Sequence, residues 1–307
     1  MALSVDQLNS ITEKFYVKKL HDSIFDSNPL LMRIKKSGSY KSTSGGTQIY
    51  IPLNYAQSTA SGWYSGADTL STTDNENITS AAYDWKSLYA GVTISEEDEL
   101  KNSGDAAQLN LLKSKMQIAE KTIADTLGTG LYSDGTTADS IVGLRDIVAT
   151  DQTVGGIDQS SYSWWQGQVD SSTATNSLSA MNTVFQDCTV DSEHPNYIVA
   201  TRAVYNTYYD LLTPVQRFVD ESIAKGGFES LMFNGQPIVS DSHCPANHLF
   251  MLNLDHLHLF YHPKRNFSME PFQKPINQQV KVARVLWMGA LGSSNNRLHG
   301  KMSAITS

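Results

Sequence analysis

The chain has 307 residues, 40% of them hydrophobic and 18% charged, with a formal net charge of -8 and a pI near 5.4. That composition supports a sizeable core in one large domain or two ordinary ones, and its acidic balance excludes a surface built throughout for nucleic-acid phosphates. The two cysteines, Cys188 and Cys244, can bridge in principle. A pair this sparse, behind an opening (MALSVDQLNSITEKF) that carries Asp6 and Glu13 and no apolar block, points instead to a reducing cytoplasm. The longest apolar stretch, around 282–291, is interrupted by Arg284 and is too short to cross a bilayer, so no membrane role is expected.

In chain order, residues 1–44 read as an arm. Phe15, Tyr16, Leu20, Ile24 and Phe25 recur near helical spacing, Asn28-Pro29 stops that helix, and LLMRIKK (30–36) is a second short amphipathic stretch before the Ser/Gly-rich hinge 37–46. Residues 45–55 alternate Ile49, Ile51 and Leu53 against Gln48, Tyr50 and Asn54, the period of a strand, and the β-rich segment 77–95 reads as the return leg. Between them lie mostly Ser, Thr, Gly, Ala and acids, with Trp63 and Tyr64 nearly alone. A lone two-stranded hairpin is marginal in water. It needs either the helix that follows or a neighbouring copy of the chain as support. Charge is skewed along this region: residues 1–44 hold seven basic side chains against four acidic, while 45–99 hold only Lys86 against eight acidic. The plain reading is two solvated faces, and the sharper one is a basic arm that docks on an acidic arm of another copy.

Ser95 followed by Glu96, Glu97 and Asp98 is a good helix start, because an N-cap oxygen and first-turn acids satisfy exposed N–H groups and the dipole. After a break at Ser103-Gly104, the residues Leu109, Leu112, Met116, Ala119, Ile123 and Leu127 form one apolar stripe, and Gly128 or Gly130 is expected to end the helix. Residues 141–148 read as a short apolar strand or turn. The polar loop 149–173 has Trp164-Trp165 as its anchor. Residues 173–188 read as a helix with Leu178, Met181, Val184 and Phe185 on one face. Tyr197 to Ala200 reads as a buried strand, with Thr201 as N-cap of a helix over 202–212 stopped by Pro214, and the segments 230–241, 247–262 and 266–306 as strands. The order is α+β.

No catalytic pattern emerges. HExxH, GxxxxGK[ST], GxSxG, paired CxxC and a strand-borne GxGxxG are all absent from the sequence, Glu96–Glu99 is explained by capping, and Asp220-Glu221 lacks an acid/base partner. Five histidines (His243, His248, His256, His258, His262) cluster with Cys244, and His256, His258 and His262 are placed on one strand face where alternate residues can share zinc. The competing reading, preferred here, is a half-exposed strand with Leu257, Leu259 and Tyr261 buried. No metal, cofactor or enzyme activity is expected.

The succession of elements resembles the tailed-bacteriophage major capsid protein family with the Hong Kong 97-like fold, over essentially the whole chain. The carriers are the spine-like helix 95–128, the Gly-rich turn and "xGL" segment GLYSDGT…IVGLRDIV (130–148), the strand–helix unit NYIVATRAVYNTYYDLL (196–212) and the strand pair in 233–260. The resemblance implies an N-terminal arm (1–44), an extended loop (45–94), a P-domain with spine helix (95–172), an A-domain (173–262), long P-domain strands (263–294) and an A-domain C-terminal segment (295–307). It further implies a shell protein that assembles as hexamers and pentamers around double-stranded DNA, in a virion capsid made in a bacterial cytoplasm, with scaffolding, portal and decoration proteins as further partners and scaffolding supplied separately or not at all. The alternative on the same fold is an encapsulin-like nanocompartment. Inter-subunit contact is expected at Trp63, Tyr64, Asp68 and Glu76 of the extended loop, with Arg33, Lys35 and Lys36 meeting acids of a neighbour.

Overall fold

The computed structural model describes residues 28–73, 75–97, 105–137, 139–172, 177–212 and 230–305. The helical piece expected within residues 1–27, the break at Ser103-Gly104, Pro214 and Asp220-Glu221 lie outside them. The first element is α1 (Pro29–Lys36). Buried Asn28 opens it, its Oδ1 accepting from the N–H groups of Leu30 and Leu31 at 2.9 and 3.1 Å, with Pro29 in the first turn where no N–H is missed. Leu30, Leu31 and Ile34 are fully buried.

Then follow β1 (Tyr40–Ser42), β2 (Gln48–Asn54), β3 (Ile78–Asp84) and β4 (Lys86–Ser95). The expected hairpin exists: β2 and β3 pair antiparallel from Gln48↔Asp84 to Asn54↔Ile78. It ends sooner than the 45–94 loop expected from sequence, because β4 pairs along its whole length with a distant strand of the main sheet. Ser95 closes β4, and its Oγ accepts the Glu97 N–H at 3.2 Å, a local cap. The long helix α2 (Asp105–Leu131) spans 27 residues, about 40 Å at 1.5 Å per residue. Its apolar stripe is buried at Leu112, Met116, Ala119, Ile123 and Leu127. It runs through Gly128 and Gly130 rather than ending there. Gly128 instead allows a close approach: a Cβ would stand 2.7 Å from Asn28 Nδ2 and 3.0 Å from the His243 ring.

Within 141–148 the chain forms a single helical turn, α3 (Leu144–Ile147), not a strand. The segment expected as loop carries a small hairpin, β5 (Thr153–Val154) with β6 (Ile157–Asp158), then β7 (Gln168–Asp170). Trp165 is buried there, its Nε1 donating to the Val154 carbonyl at 3.0 Å. Helix α4 (Leu178–Asp187) buries Met181, Val184 and Phe185, but Leu178, in its first turn, is 40% exposed. Next come β8 (Tyr197–Ala200), α5 (Arg202–Leu211), β9 (Ser230–Phe233), β10 (Gln236–Ser240), β11 (Leu249–Leu252), β12 (Leu257–Tyr261), β13 (Ser268–Gln273), β14 (Val280–Ser293) and β15 (Gly300–Met302). Thr201 sits at the start of α5 as expected, yet its hydroxyl donates to the carbonyls of Pro245 and His248 instead of being held by the helix.

Two sheets organise the chain. In one, β14 is the shared long strand: it pairs antiparallel with β4 over Val280–Gly289, with β13, and through its last residues with β12, on which β1 lies parallel. The other has the order β7-β15-β11-β8-β10-β9 and carries α4 and α5. Strand β12, counted from sequence with the segment 173–262, thus belongs to the β14 sheet. Parity divides the core. Along β8, Tyr197 and Val199 face the large cluster shared with α2 and the hairpin, while Ile198 and Ala200 face the smaller cluster under α4 and α5. The same split places Phe250 and Leu252 opposite Leu249 and Met251 on β11.

Candidate assembly surface

The hairpin has a fixed root and an open tip. Ile49, Ile51 and Leu53 on β2 join Ala81 and Tyr83 on β3 in the main core, so the root does have apolar support of its own. Three polar contacts pin it. The Tyr83 hydroxyl donates to the Ser293 carbonyl and accepts the Ser293 N–H, both at 3.0 Å; the Ala82 N–H donates to the Gly155 carbonyl at 2.9 Å; and Trp85 Nε1 donates to the Gly46 carbonyl at 3.1 Å. Burial pushes the Tyr83 phenol well above its ordinary pKa, which keeps it a neutral donor at any physiological pH. Where the ladder ends, the Tyr55 ring stacks on Trp164 at 5.0 Å.

Beyond Tyr55 regular structure stops. Asn75 holds the two legs together, its Oδ1 accepting from the Thr59 N–H at 3.2 Å and its Nδ2 donating to the Gln57 carbonyl at 3.2 Å. Asp68 closes a turn by accepting the Ser65 N–H at 2.8 Å. Trp63 is 105% exposed and Tyr64 68%, with Glu76 and Asp68 also on the surface. An indole standing wholly in water on an ordered projection is unusual, since large apolar groups left exposed mark contact surfaces more often than chance.

The basic segment divides. Arg33 lies with its guanidinium 5.8 Å from the centre of the Tyr197 ring and its Nε buried, so it is engaged inside the chain. Lys35 and Lys36, at the end of α1, are exposed. The structure brings none of Arg33, Lys35 or Lys36 into an ion pair with Asp68 or Glu76 among its salt bridges within the described residues.

The histidines do not converge. Among the described residues no three His, Cys, Asp or Glu side chains group so as to hold a metal ion. His256 bonds Ser294 Oγ at 2.9 Å and Glu193 at 3.1 Å, His262 accepts the Lys264 N–H, and His248 faces the Ala246 carbonyl at 2.7 Å. The half-exposed strand expected for this region is corrected at His258, which is buried with Phe260 and lies 3.2 Å from Lys41 Nζ. The parallel neighbour β1 flanks β12 in the same sheet and brings Lys41 beside it. Burial and the nearby ammonium drive the His258 pKa down to about 4. A residue that sequence reasoning passed over is His299. It is fully buried between Asn253 and Ser293, where the two sheets meet. Cys188 and Cys244 are both free and buried, and no helix among the described residues is long and apolar enough to cross a membrane.

No family model and no curated protein matches this sequence. Solved structures do match in fold. The chain is similar to the capsid of cyanophage A-1(L) (TM-score 0.67, 16% identity, covering 90% of this chain and 92% of that one). It is similar to the capsid of a native GTA particle (TM-score 0.61, 12% identity, 89% and 90%). It also resembles the holo-SrpI encapsulin complex of Synechococcus elongatus (TM-score 0.59, 10% identity, 89% and 87%). On this likeness over about nine-tenths of its length, the chain has the α+β Hong Kong 97-like capsid fold.

Proposed function

We propose that this protein is a major capsid protein, a non-enzymatic building block that forms hexamers and pentamers and closes an icosahedral shell around the double-stranded DNA of a tailed phage. The observation that carries this reading is the hairpin: a root fixed to its own chain, and a tip presenting a wholly exposed Trp63 with Tyr64 beside it, on a fold that solved phage shells share over nine-tenths of the chain. Such a contact is heterologous, since the tip of one subunit meets a different surface on the next, and it forms rings or shells when the rotation closes. Each contact can be modest because many act together. The tip acids Asp68 and Glu76 fit a basic neighbour surface, for which Lys35 and Lys36 are the proposed partners; Arg33 supports them from within by holding α1 against Tyr197. An acidic wall is also suited to enclosing DNA without binding it tightly. On this reading the chain is made in a bacterial cytoplasm and works in the virion, with portal, scaffolding or decoration proteins as further partners.

Trp63→Ala tests the assignment. The side chain is fully exposed among the described residues, so the unfolding midpoint of the unassembled protein should stay where it is. Losing a central aromatic anchor should weaken each contact on the order of ten-fold or more and cut particle yield. Normal particle yield from the variant contradicts the assignment.

The second reading, an encapsulin-like compartment, is supported by the likeness to the Synechococcus complex. Nuclease-protected DNA inside particles purified from infected cells supports the phage capsid. Particles that carry a protein cargo and no DNA support the compartment.

A further inference from the structure

His243 sits where three elements meet. Its ring lies against Gly128 of α2, and its Nε2 is 3.0 Å from Asp125 Oδ1 on the same helix. Its Nδ1 is 3.1 Å from Asp241 Oδ1, just after β10, and 3.2 Å from Asn28 Nδ2, at the start of α1. The orientation of the Asn28 amide follows from its other bonds: Oδ1 already accepts from the Leu30 and Leu31 N–H groups, so the atom facing the imidazole is the NH2 donor. Nδ1 therefore faces one group that can only donate and one that, ionised, can only accept. It can satisfy one at a time.

We infer that His243 is a proton switch that moves its Nδ1 between two partners, the cap of α1 when neutral and the buried carboxylate of Asp241 when charged. In the neutral state the proton is on Nε2, bonded to Asp125, and Nδ1 accepts from Asn28. In the charged state both ring nitrogens donate, one to Asp125 and one to Asp241, and the Asn28 amide loses its partner. Among the described residues, the other groups that face the site are few. Asp241 is buried and takes the hydroxyl of Tyr132, the residue just after α2, at 2.8 Å and the His243 backbone N–H at 2.9 Å. Tyr197 of β8 and the Cys244 thiol lie nearby and are neutral, burial pushing both above their ordinary values. Arg33 of α1 places its guanidinium 5.8 Å from the centre of the Tyr197 ring. The charges that act on the imidazole are the two carboxylates, Asp241 and Asp125. The hydrogen bond to Asp241 leads in raising the His243 pKa above 6.5, against burial, which lowers it. The share due to Asp125 is the smaller, its side chain being 77% exposed and screened by water.

The sign is then fixed. With the folded value above the unfolded one, the stabilisation is complete below about pH 6.5 and is lost as pH rises through the folded value. The α1 cap follows the opposite course, because Asn28 regains its partner as the ring loses its proton. Two readouts on the full-length, unassembled chain separate the switch from a merely structural role: the thermal midpoint, and the hydrogen exchange of the Leu30 and Leu31 amides corrected for intrinsic rate. Between about pH 6 and about pH 8.5 the midpoint should fall, while Leu30 and Leu31 gain roughly five-fold in protection, the size of one hydrogen bond. His243→Gln should flatten both profiles. Asp125→Asn, at an exposed position that leaves the fold intact, should shift both transitions to lower pH, and it keeps the test available if the Gln variant does not fold. Protection at Leu30 and Leu31 that is flat with pH in the wild type, or transitions that Asp125→Asn leaves in place, would overturn the inference.

Discussion

Gly143→Ala is expected to cost the fold on the order of 3 kcal/mol or more, the range of severe overpacking. A Cβ at this position would stand 2.3 Å from the Ser133 nitrogen and 2.4 Å from its carbonyl oxygen. Those are backbone atoms, held in place by the Ser133 N–H bond to the Gly130 carbonyl at 3.1 Å and the Ser133 Oγ bond to the Ile141 carbonyl at 2.6 Å. Neither neighbour can swing aside as a flexible side chain would. The chain has to separate the end of α2 from α3, whose Leu144 and Ile147 are fully buried in the main core. Gly62→Ala in the hairpin tip is the control, because a Cβ there meets nothing within 4 Å and the backbone needs no positive φ. A denaturant midpoint that drops sharply for Gly143→Ala and stays put for Gly62→Ala supports the close approach. Equal midpoints refute it.

The second large effect is acid sensitivity at His299. The Asn253 N–H, which can only donate, points at Nδ1 at 3.2 Å, so Nδ1 is bare and the proton is on Nε2, facing Ser293 Oγ at 3.2 Å. The ring is neutral and has no counter-charge. Burial, then the charges of His256 and His258, push its pKa down to about 3 from 6.5. On acidification the unfolded chain takes up this proton first, so stability is lost as pH falls from about 6.5 towards about 3. At about pH 4 the loss amounts to roughly 3 kcal/mol. His258, lowered to about 4, acts in the same direction. Asp146 opposes them: burial and the neighbouring Asp134 raise its carboxyl from 3.8 to about 6, so the folded chain binds that proton first and gains stability between about pH 6 and 3.8. The wild-type curve is thus a sum of opposing terms, and the informative quantity is a difference. His299→Asn keeps an acceptor for Asn253 and removes the titration. The stability gap between wild type and variant should narrow by roughly 3 kcal/mol from pH 7 to about pH 4. A gap that stays constant contradicts a neutral buried His299.

Much of this architecture is local in the sequence, and what was missed is not. Ile49, Ile51 and Leu53 announce their strand by alternation, and Leu112 to Leu127 announce their helix, because each pattern needs only its own neighbours. Gly143 is legible as part of the "xGL" turn. The split of the return leg shows as a change of parity: buried positions are odd-numbered through Ala81 and Tyr83 and even-numbered through Ala90, Val92 and Ile94. A single flat strand cannot change parity, so the chain bends near Trp85 and hands β4 to another sheet. Gly128 looks like a helix stop until Asn28 and His243, each about a hundred residues away, are known to press against it. The burial of His258 likewise depends on Lys41 in a parallel partner strand 217 residues distant. At the candidate surface, Trp63 and Tyr64 stand out in the sequence because Leu70 is the only other large apolar side chain of the tip. Arg33 was misleading as a surface charge, because the ring beneath it belongs to Tyr197.

The central claim is that this chain builds closed shells through its own contacts. Electron microscopy of the full-length protein, expressed in bacteria and purified as particles by sedimentation, tests it most directly. The account predicts hollow particles of uniform diameter with icosahedral symmetry, in which the tip around Trp63 lies on an adjacent subunit. Folded protein that yields only monomers or irregular aggregates, or shells in which Trp63 remains in solvent, would contradict it.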